Sequence, residues 1–187
     1  MDVFMEQVVK KEPTSRDKML GIWLKLSAFA FAFGLVLASI AFFPYIAPLA
    51  LFVGFLAIWF AFKLEKKLAI EYEYAFTNGE LDVDKIVAKS KRKRLCSVHL
   101  GTIKAFGKWN DDMEVEADAT MVIASDNSGK LDEYFIDFNY KDYGETTLFI
   151  SPNAQLLDMM VPFLPREIRR EFEKTYRSPI LAAADED

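Results

Sequence analysis

The sequence has very few of the residues on which most catalytic and metal sites depend. Its 187 residues include one histidine and one cysteine, His99 and Cys96. A single cysteine excludes an intrachain disulfide, which fits a reducing compartment. No Gly-rich phosphate loop, Gly-x-Ser-x-Gly elbow or His-Glu-x-x-His motif occurs in the chain. The formal net charge of −5 also argues against a nucleic-acid binder, because such proteins are normally basic.

Charge is nearly absent from residues 20–62, where Lys25 is the sole charged side chain. A membrane-spanning helix needs about 20 apolar residues. The run therefore predicts a transmembrane hairpin with spans at 20–43 and 48–62, joined by a Pro-bounded turn. A cleaved signal peptide is the alternative for the first span, but a second span follows at once. The lack of other ionisable groups argues against a transporter or proton path, and Lys25 can extend to the membrane surface.

Basic residues flank both predicted spans, and the turn between them carries no charge. The positive-inside rule then predicts a multi-pass protein of the cell membrane with both termini in the cytoplasm. Small residues recur every fourth position in each span, which allows close helix packing within the hairpin or with a second copy. The small residues are Ala30, Gly34 and Ala38 in the first span, and Ala50 and Gly54 in the second.

The N-terminal segment, residues 1–19, is polar apart from a small apolar cluster, Val3, Phe4, Val8 and Val9. We interpret it as a frayed cytoplasmic terminus, with one or two helical turns on the membrane surface as the alternative. Thr14 and Asp17 have the spacing of a capping box, which predicts that the first helix begins just outside the bilayer.

The pattern after residue 63 alternates between apolar and polar side chains, which predicts β-strands. Asn78-Gly79 predicts a tight two-residue hairpin between the first two strands. Further strands are predicted at 94–103, 119–125, 131–140 and 145–150. Residues 63–177 are therefore expected to form a mainly-β cytoplasmic domain, either a small antiparallel sandwich or a barrel.

The domain is expected to end in an amphipathic helix. Ser151 and Pro152 suit the N-cap and the first helical position. Four apolar residues then fall on one face of a helix that Pro162 and Pro165 kink or split: Leu156, Leu157, Met160 and Leu164. Residues 178–187 are small and acidic, which predicts a disordered tail.

Several segments together resemble bacterial membrane-anchored pleckstrin-homology-like (PH-like) proteins. A membrane hairpin precedes a Tyr-rich strand, and Leu-Phe-Ile-Ser-Pro-Asn leads into a late helix. Segments along most of the chain are similar to an uncharacterised family of small bacterial two-span membrane proteins: Asp2-Val3-Phe4, Tyr74 to Gly79 and on to Lys85-Ile86, Lys91 to Arg94, and Ser151-Pro152-Asn153. The resemblance implies a strongly bent antiparallel sheet capped by a C-terminal helix. It implies no activity.

A basic run, residues 89–94, is the most suggestive candidate site. With Asn78-Gly79 as the turn, Leu68 faces Lys89, so the second strand returns to the bilayer where the first strand left it. Eight cations would gather there and could contact anionic lipid headgroups, although they could equally be topology signals and a solvated strand end. The eight are Lys63, Lys66, Lys67, Lys89, Lys91, Arg92, Lys93 and Arg94.

Other constellations have simpler interpretations. Glu71, Glu73, Asp82 and Asp84 share the outer face of the first hairpin, where Glu73 opposes Asp84 at a cost in stability. A flat acidic strand face suits solvent or a basic partner better than Ca²⁺ or Mg²⁺. Cys96 and His99 lie three apart on a strand and so point to opposite faces, which disfavours a zinc site. Trp109 is expected to fill the open end of the small β domain, and an anchor in the membrane interface is the alternative.

The function that these observations favour is a non-enzymatic binding or scaffold module, with a PH-like domain held at the inner leaflet. It would bind a lipid headgroup, a protein partner or its own copies, and no cofactor is implied. One alternative is a membrane-associated enzyme that uses Asp82 and Asp84 as acid and base, although solvent-facing carboxylates lack the pocket that such chemistry needs. The other is an oligomeric pore or an accessory subunit of a membrane complex.

Overall fold

The computed structural model describes residues 3–42, 44–110, 113 and 118–177. The chain divides into two compact units. One, the membrane unit, consists of Glu12–Ile70 together with Val87–Lys91. The other, the β unit, consists of Met1–Lys11, Glu71–Ile86 and Arg92–Asp187. The predicted disordered tail, 178–187, lies outside the described residues.

Two long apolar helices form most of the membrane unit. α1 spans Ser15–Phe42 and α2 spans Ala47–Lys66, with a short 3₁₀ turn at Pro44–Ile46 between them. Both helices are long and apolar enough to cross a membrane. At the start of α1, the Asp17 carboxylate accepts a hydrogen bond from the Thr14 backbone N–H at 3.1 Å, as half of the predicted capping box requires.

Close packing of the two helices uses only one of the two small-residue stripes. Ala50 and Gly54 of α2 are buried, and a Cβ added to Gly54 would lie 3.0 Å from the Ala32 Cβ. Ala30, Gly34 and Ala38 of α1 are exposed, and a Cβ added to Gly34 would meet nothing within 4 Å. The helix–helix contact therefore follows a face of α1 that contains Ala32, next to the predicted stripe.

The first sheet of the β unit has the strand order β1-β2-β3-β4, in which each strand follows the previous one along the chain. The strands are β1 (Phe4–Lys10), β2 (Ile70–Thr77), β3 (Glu80–Val87) and β4 (Lys91–His99). The expectation of a frayed N-terminus or a surface helix was wrong. β1 pairs antiparallel with β2 along its whole length, from Phe4 opposite Thr77 to Lys10 opposite Glu71.

The predicted Asn78-Gly79 turn is confirmed. Both residues have positive φ, 48° for Asn78 and 92° for Gly79, as a type I′ turn requires. Asn78 also fixes β1, because its side-chain oxygen accepts a hydrogen bond from the Val3 N–H at 2.9 Å. Gly79 has a second reason to be glycine, since an added Cβ would lie 2.8 Å from the Phe163 ring.

The second sheet has the order β5-β7-β8-β6. Its strands are β5 (Ala105–Lys108), β6 (Thr120–Ile123), β7 (Tyr134–Tyr140) and β8 (Gly144–Ile150). β6 runs parallel to β8, so this sheet is mixed and not purely antiparallel as expected. The described residues form two sheets and no closed barrel.

Two short helices close the β unit, α3 (Ala154–Met160) and α4 (Arg166–Phe172), with Pro162 and Pro165 between them. Leu156 and Met160 are fully buried, as the apolar stripe predicts. The N-cap is Asn153 and not Ser151, because the Asn153 side chain accepts a hydrogen bond from the Leu156 N–H at 2.8 Å. Phe172 packs against Phe106 with ring centroids 5.0 Å apart.

Candidate functional site

The basic run folds into a second tight hairpin. Ala88 and Lys89 both have positive φ, 53° and 55°, and the Ser90 N–H donates to the Val87 carbonyl at 3.2 Å. These are the dihedral signs of a type I′ turn, here without the glycine or asparagine that usually supplies them. Left-handed backbone in such residues stores strain, which is frequent at functional positions. Neither residue carries the sequence signal of a turn, so sequence reasoning missed this one.

The turn belongs to the membrane unit together with the end of α2. The Ala88 N–H donates a hydrogen bond to the Ala69 carbonyl at 3.0 Å, which continues the register expected from Asn78-Gly79. Five of the eight predicted site residues therefore share one compact unit, and all five are exposed: Lys63, Lys66, Lys67, Lys89 and Lys91. Lys63 also lies over the Trp59 ring, with its ammonium nitrogen 4.9 Å from the centroid.

Arg92 and Arg94 belong to the β unit and contact carboxylates. Arg92 pairs with Glu73 and has Asp84 at 4.0 Å. Arg94 pairs with Asp84 through Nε and with Asp82 through Nη1, at 2.7 Å in the second case. Its hydrogen bond with Asp84 is the main reason that the pKa of Arg94 is raised. We call these five residues the arginine–carboxylate cluster.

The arginine–carboxylate cluster resolves the like-charge conflict expected on this face. Glu73 and Asp84 are each only 7% exposed, so both carboxylates need a counter-ion. The arginines of the basic run provide it. The sequence showed the acidic face and the basic run separately but not their contact.

An irregularity in β4 explains why the contact was missed. Two hydrogen bonds join the ends of β3 and β4: the Ser90 N–H donates to the Val87 carbonyl, and the Leu100 N–H donates to the Gly79 carbonyl. Between these two bonds, the β4 side of the hairpin contains two more residues than the β3 side. β4 and β3 therefore do not match residue for residue between these two bonds, so strict alternation does not fix where the β4 side chains lie. Arg94 accordingly donates to the Ser97 hydroxyl at 3.0 Å, although strict alternation would place these two residues on opposite faces. Lys93, the eighth predicted residue, lies exposed between the two arginines.

The candidates for metal or nucleophile chemistry do not assemble. Cys96 is fully buried whereas His99 is exposed, so the two side chains do not share a site. Burial raises the pKa of the Cys96 thiol to about 12, which disfavours the reactive thiolate. Within the described part of the chain, no group of three or more His, Cys, Asp or Glu side chains is placed to hold a metal ion.

A buried polar junction joins the first sheet to the second, and no sequence pattern predicted it. The Tyr74 hydroxyl donates to the Ala124 carbonyl and accepts from the Ser151 N–H at 3.1 Å. Burial raises the pKa of Tyr74. The Gln7 side chain bridges β1 to the same segment, since it donates to the Ser151 carbonyl at 3.1 Å and accepts from the Asn153 N–H at 2.9 Å. The Ser-Pro-Asn segment therefore holds β1 in place.

Trp109 packs on the second sheet. Its ring meets Phe149 edge-on at 5.0 Å between centroids and Phe135 at 6.3 Å. These contacts favour a packing role for Trp109 within the domain over a role as a membrane anchor.

Comparison with known proteins identifies the family. A model described as a bacterial PH-like domain (DUF6106) matches residues 1–170. No curated protein matches. No solved structure matches. The match covers β1, both apolar helices, both sheets, α3 and the first five residues of α4. The chain therefore belongs to the bacterial PH-like domain family DUF6106.

Proposed function

We propose that this protein is a non-enzymatic, membrane-anchored binding module, in which the helical hairpin holds a PH-like domain at the cytoplasmic face of the membrane. The observation that carries the proposal is the pairing of β1 with β2. β1 precedes α1, and β2 follows α2. If both helices span the bilayer, one sheet can contain both strands only when the two ends of the hairpin lie on the same side.

The cytoplasmic side is favoured by charge. Basic residues cluster around the start of α1 and at the end of α2, whereas the turn at Pro44–Ile46 has no charged residue. Translocation of the basic ends would be unfavourable. The β unit is then cytoplasmic, where a single unpaired cysteine is expected to stay reduced.

A binding role is favoured over catalysis by the state of the carboxylates. Asp82 and Asp84 were the candidates for acid–base chemistry, and both contact Arg94. Each ion pair occupies a carboxylate oxygen that a substrate would have to reach in acid–base chemistry. PH-like domains are generally non-enzymatic, which supports the same conclusion.

Cysteine accessibility tests this proposal. In a Cys96→Ala background, Tyr45→Cys in the turn and Lys141→Cys in the β unit each provide one exposed thiol. We expect a membrane-impermeant maleimide to label Tyr45→Cys in intact bacterial cells and to label Lys141→Cys only after permeabilisation. Labelling of Lys141→Cys in intact cells would contradict the cytoplasmic placement. Protection of both sites until permeabilisation would contradict the spanning hairpin.

A further inference from the structure

Charge is divided unequally between the two units. The membrane unit contains eight basic and three acidic residues, whereas the whole chain has 23 basic and 28 acidic ones. The membrane unit is therefore strongly basic, and the β unit is strongly acidic. The net charge therefore favours the membrane unit as the part of the chain that attracts anions.

Two of the three acidic residues of the membrane unit have partners other than its exposed lysines. Glu65 pairs with Lys25 of α1 at 2.7 Å, and Asp17 accepts the Thr14 N–H at 3.1 Å. By contrast, no ion pair within the described residues engages any of the five lysines at the end of α2 and in the second turn. We call these five the lysine collar: Lys63, Lys66, Lys67, Lys89 and Lys91.

The backbone holds the two parts of the lysine collar together. The Ala88 N–H to Ala69 carbonyl hydrogen bond joins the second turn to the segment that follows α2. The turn at Ala88 and Lys89 is closed by the Ser90 N–H to Val87 carbonyl hydrogen bond, which keeps Lys89 and Lys91 there despite the repulsion between like charges. An arrangement that concentrates unpaired ammonium groups is relieved by an anionic ligand.

We infer that the lysine collar binds the phosphate groups of anionic phospholipids in the membrane that the hairpin spans. This inference rests on the proposed function, which places the collar at the inner leaflet, where anionic lipids supply the complementary charge. Lysine suits this ligand because its long stem reaches the headgroup level and its ammonium donates to phosphate oxygens from many directions. Arg92 and Arg94 are left out because carboxylates already occupy them.

Native mass spectrometry of the full chain in detergent tests the inference. The probes are phosphatidylglycerol and phosphatidylcholine with identical acyl chains. We expect selective binding of phosphatidylglycerol that weakens with added salt. The variant with Lys66→Gln, Lys67→Gln, Lys89→Gln and Lys91→Gln should lose about tenfold or more in affinity for phosphatidylglycerol and little for phosphatidylcholine.

A matched control removes the same charge from exposed positions of the β unit. It carries Lys141→Gln, Arg166→Gln, Arg170→Gln and Lys174→Gln, and its affinity for phosphatidylglycerol should equal that of the unmodified chain. Equal phosphatidylglycerol binding by the collar variant and the unmodified chain would overturn the inference, as would an equal loss in the control. The measurement in detergent does not depend on which side of the membrane the β unit faces. If the chain binds phosphatidylglycerol selectively but Lys141→Cys is labelled in intact cells, only the proposed orientation is refuted. If the labelling is as expected but phosphatidylglycerol binding is not selective, only the lipid site is refuted.

Discussion

At the scale of single residues, neighbours in the basic run have different roles. Arg92 and Arg94 compensate buried carboxylates, whereas Lys89 and Lys91 are exposed in the membrane unit. The difference follows from chemistry, because the planar guanidinium of Arg94 contacts two carboxylates at once and an ammonium would not match that geometry. A run of like charges in a sequence therefore need not be one functional surface.

Replacement of Arg94 by glutamine tests the structural role of the arginine–carboxylate cluster. Arg94→Gln leaves Asp84 buried with only the distant Arg92 as counter-ion, so we expect unfolding of the β unit to become easier by about 1–3 kcal/mol. Arg94 is itself half-exposed, which keeps the cost below that of a fully buried pair. Thermal unfolding of the full chain in detergent, followed by near-UV circular dichroism, measures the change.

The neighbouring Lys93→Gln is the control for Arg94→Gln, since it removes the same charge from an exposed side chain with no ion pair among the described residues. Its melting temperature should stay close to that of the unmodified chain. Equal destabilisation by both substitutions would show that charge alone, and not the contact with Asp84, matters at this strand.

At the scale of secondary-structure elements, the helix–helix contact depends on Gly54. An added Cβ there would lie 3.0 Å from the Ala32 Cβ, so Gly54→Val should force the helices apart at a cost of about 1–3 kcal/mol. Loss of the compact hairpin is measurable as altered mobility in detergent gel electrophoresis. Gly34→Val is the matched control, because an added Cβ there meets nothing within 4 Å. A mobility change for Gly34→Val alone would contradict the described packing.

The elements that the sequence predicted well are those with local signals. Asn78-Gly79 marks its turn because these residues tolerate positive φ, and the apolar run marks both helices. Ala88 and Lys89 carry no such signal, so the second turn could not be recognised. Ser151 was predicted as the N-cap, but Asn153 has that role, and Ser151 is fully buried in the polar junction. A local pattern could not distinguish these two polar residues, because the choice depends on contacts with Tyr74 and Gln7.

Elements that depend on distant partners were not predictable. β1 is a strand only because β2 lies beside it, and the whole membrane hairpin separates the two in the sequence. Only one of its seven residues, Val9, is buried, so its apolar pattern is weak. The parallel pairing of β6 with β8 likewise leaves no local trace. Part of the candidate site was predictable. The lysines followed from the register of the first hairpin, whereas the ion pairs of Arg92 and Arg94 depend on how β4 pairs with β3.

At the scale of the whole molecule, the β unit contains chain segments that precede and follow the helical hairpin in the sequence. Its N-terminal strand is synthesised before α1, and its partner strand follows α2. The β unit is therefore complete only after the hairpin has been made.

A disulfide between β1 and β2 is the most direct test of the central claim that these strands pair across the hairpin. Glu6 lies opposite Ala75 in the sheet. In a Cys96→Ala background, we expect Glu6→Cys and Ala75→Cys to form an intramolecular disulfide rapidly when isolated membranes are oxidised, because directly opposed Cβ atoms lie about 4.5–5.5 Å apart. Glu6→Cys combined with Lys141→Cys should not cross-link. Failure of the first pair to cross-link, or dimers linked between chains in its place, would contradict the account.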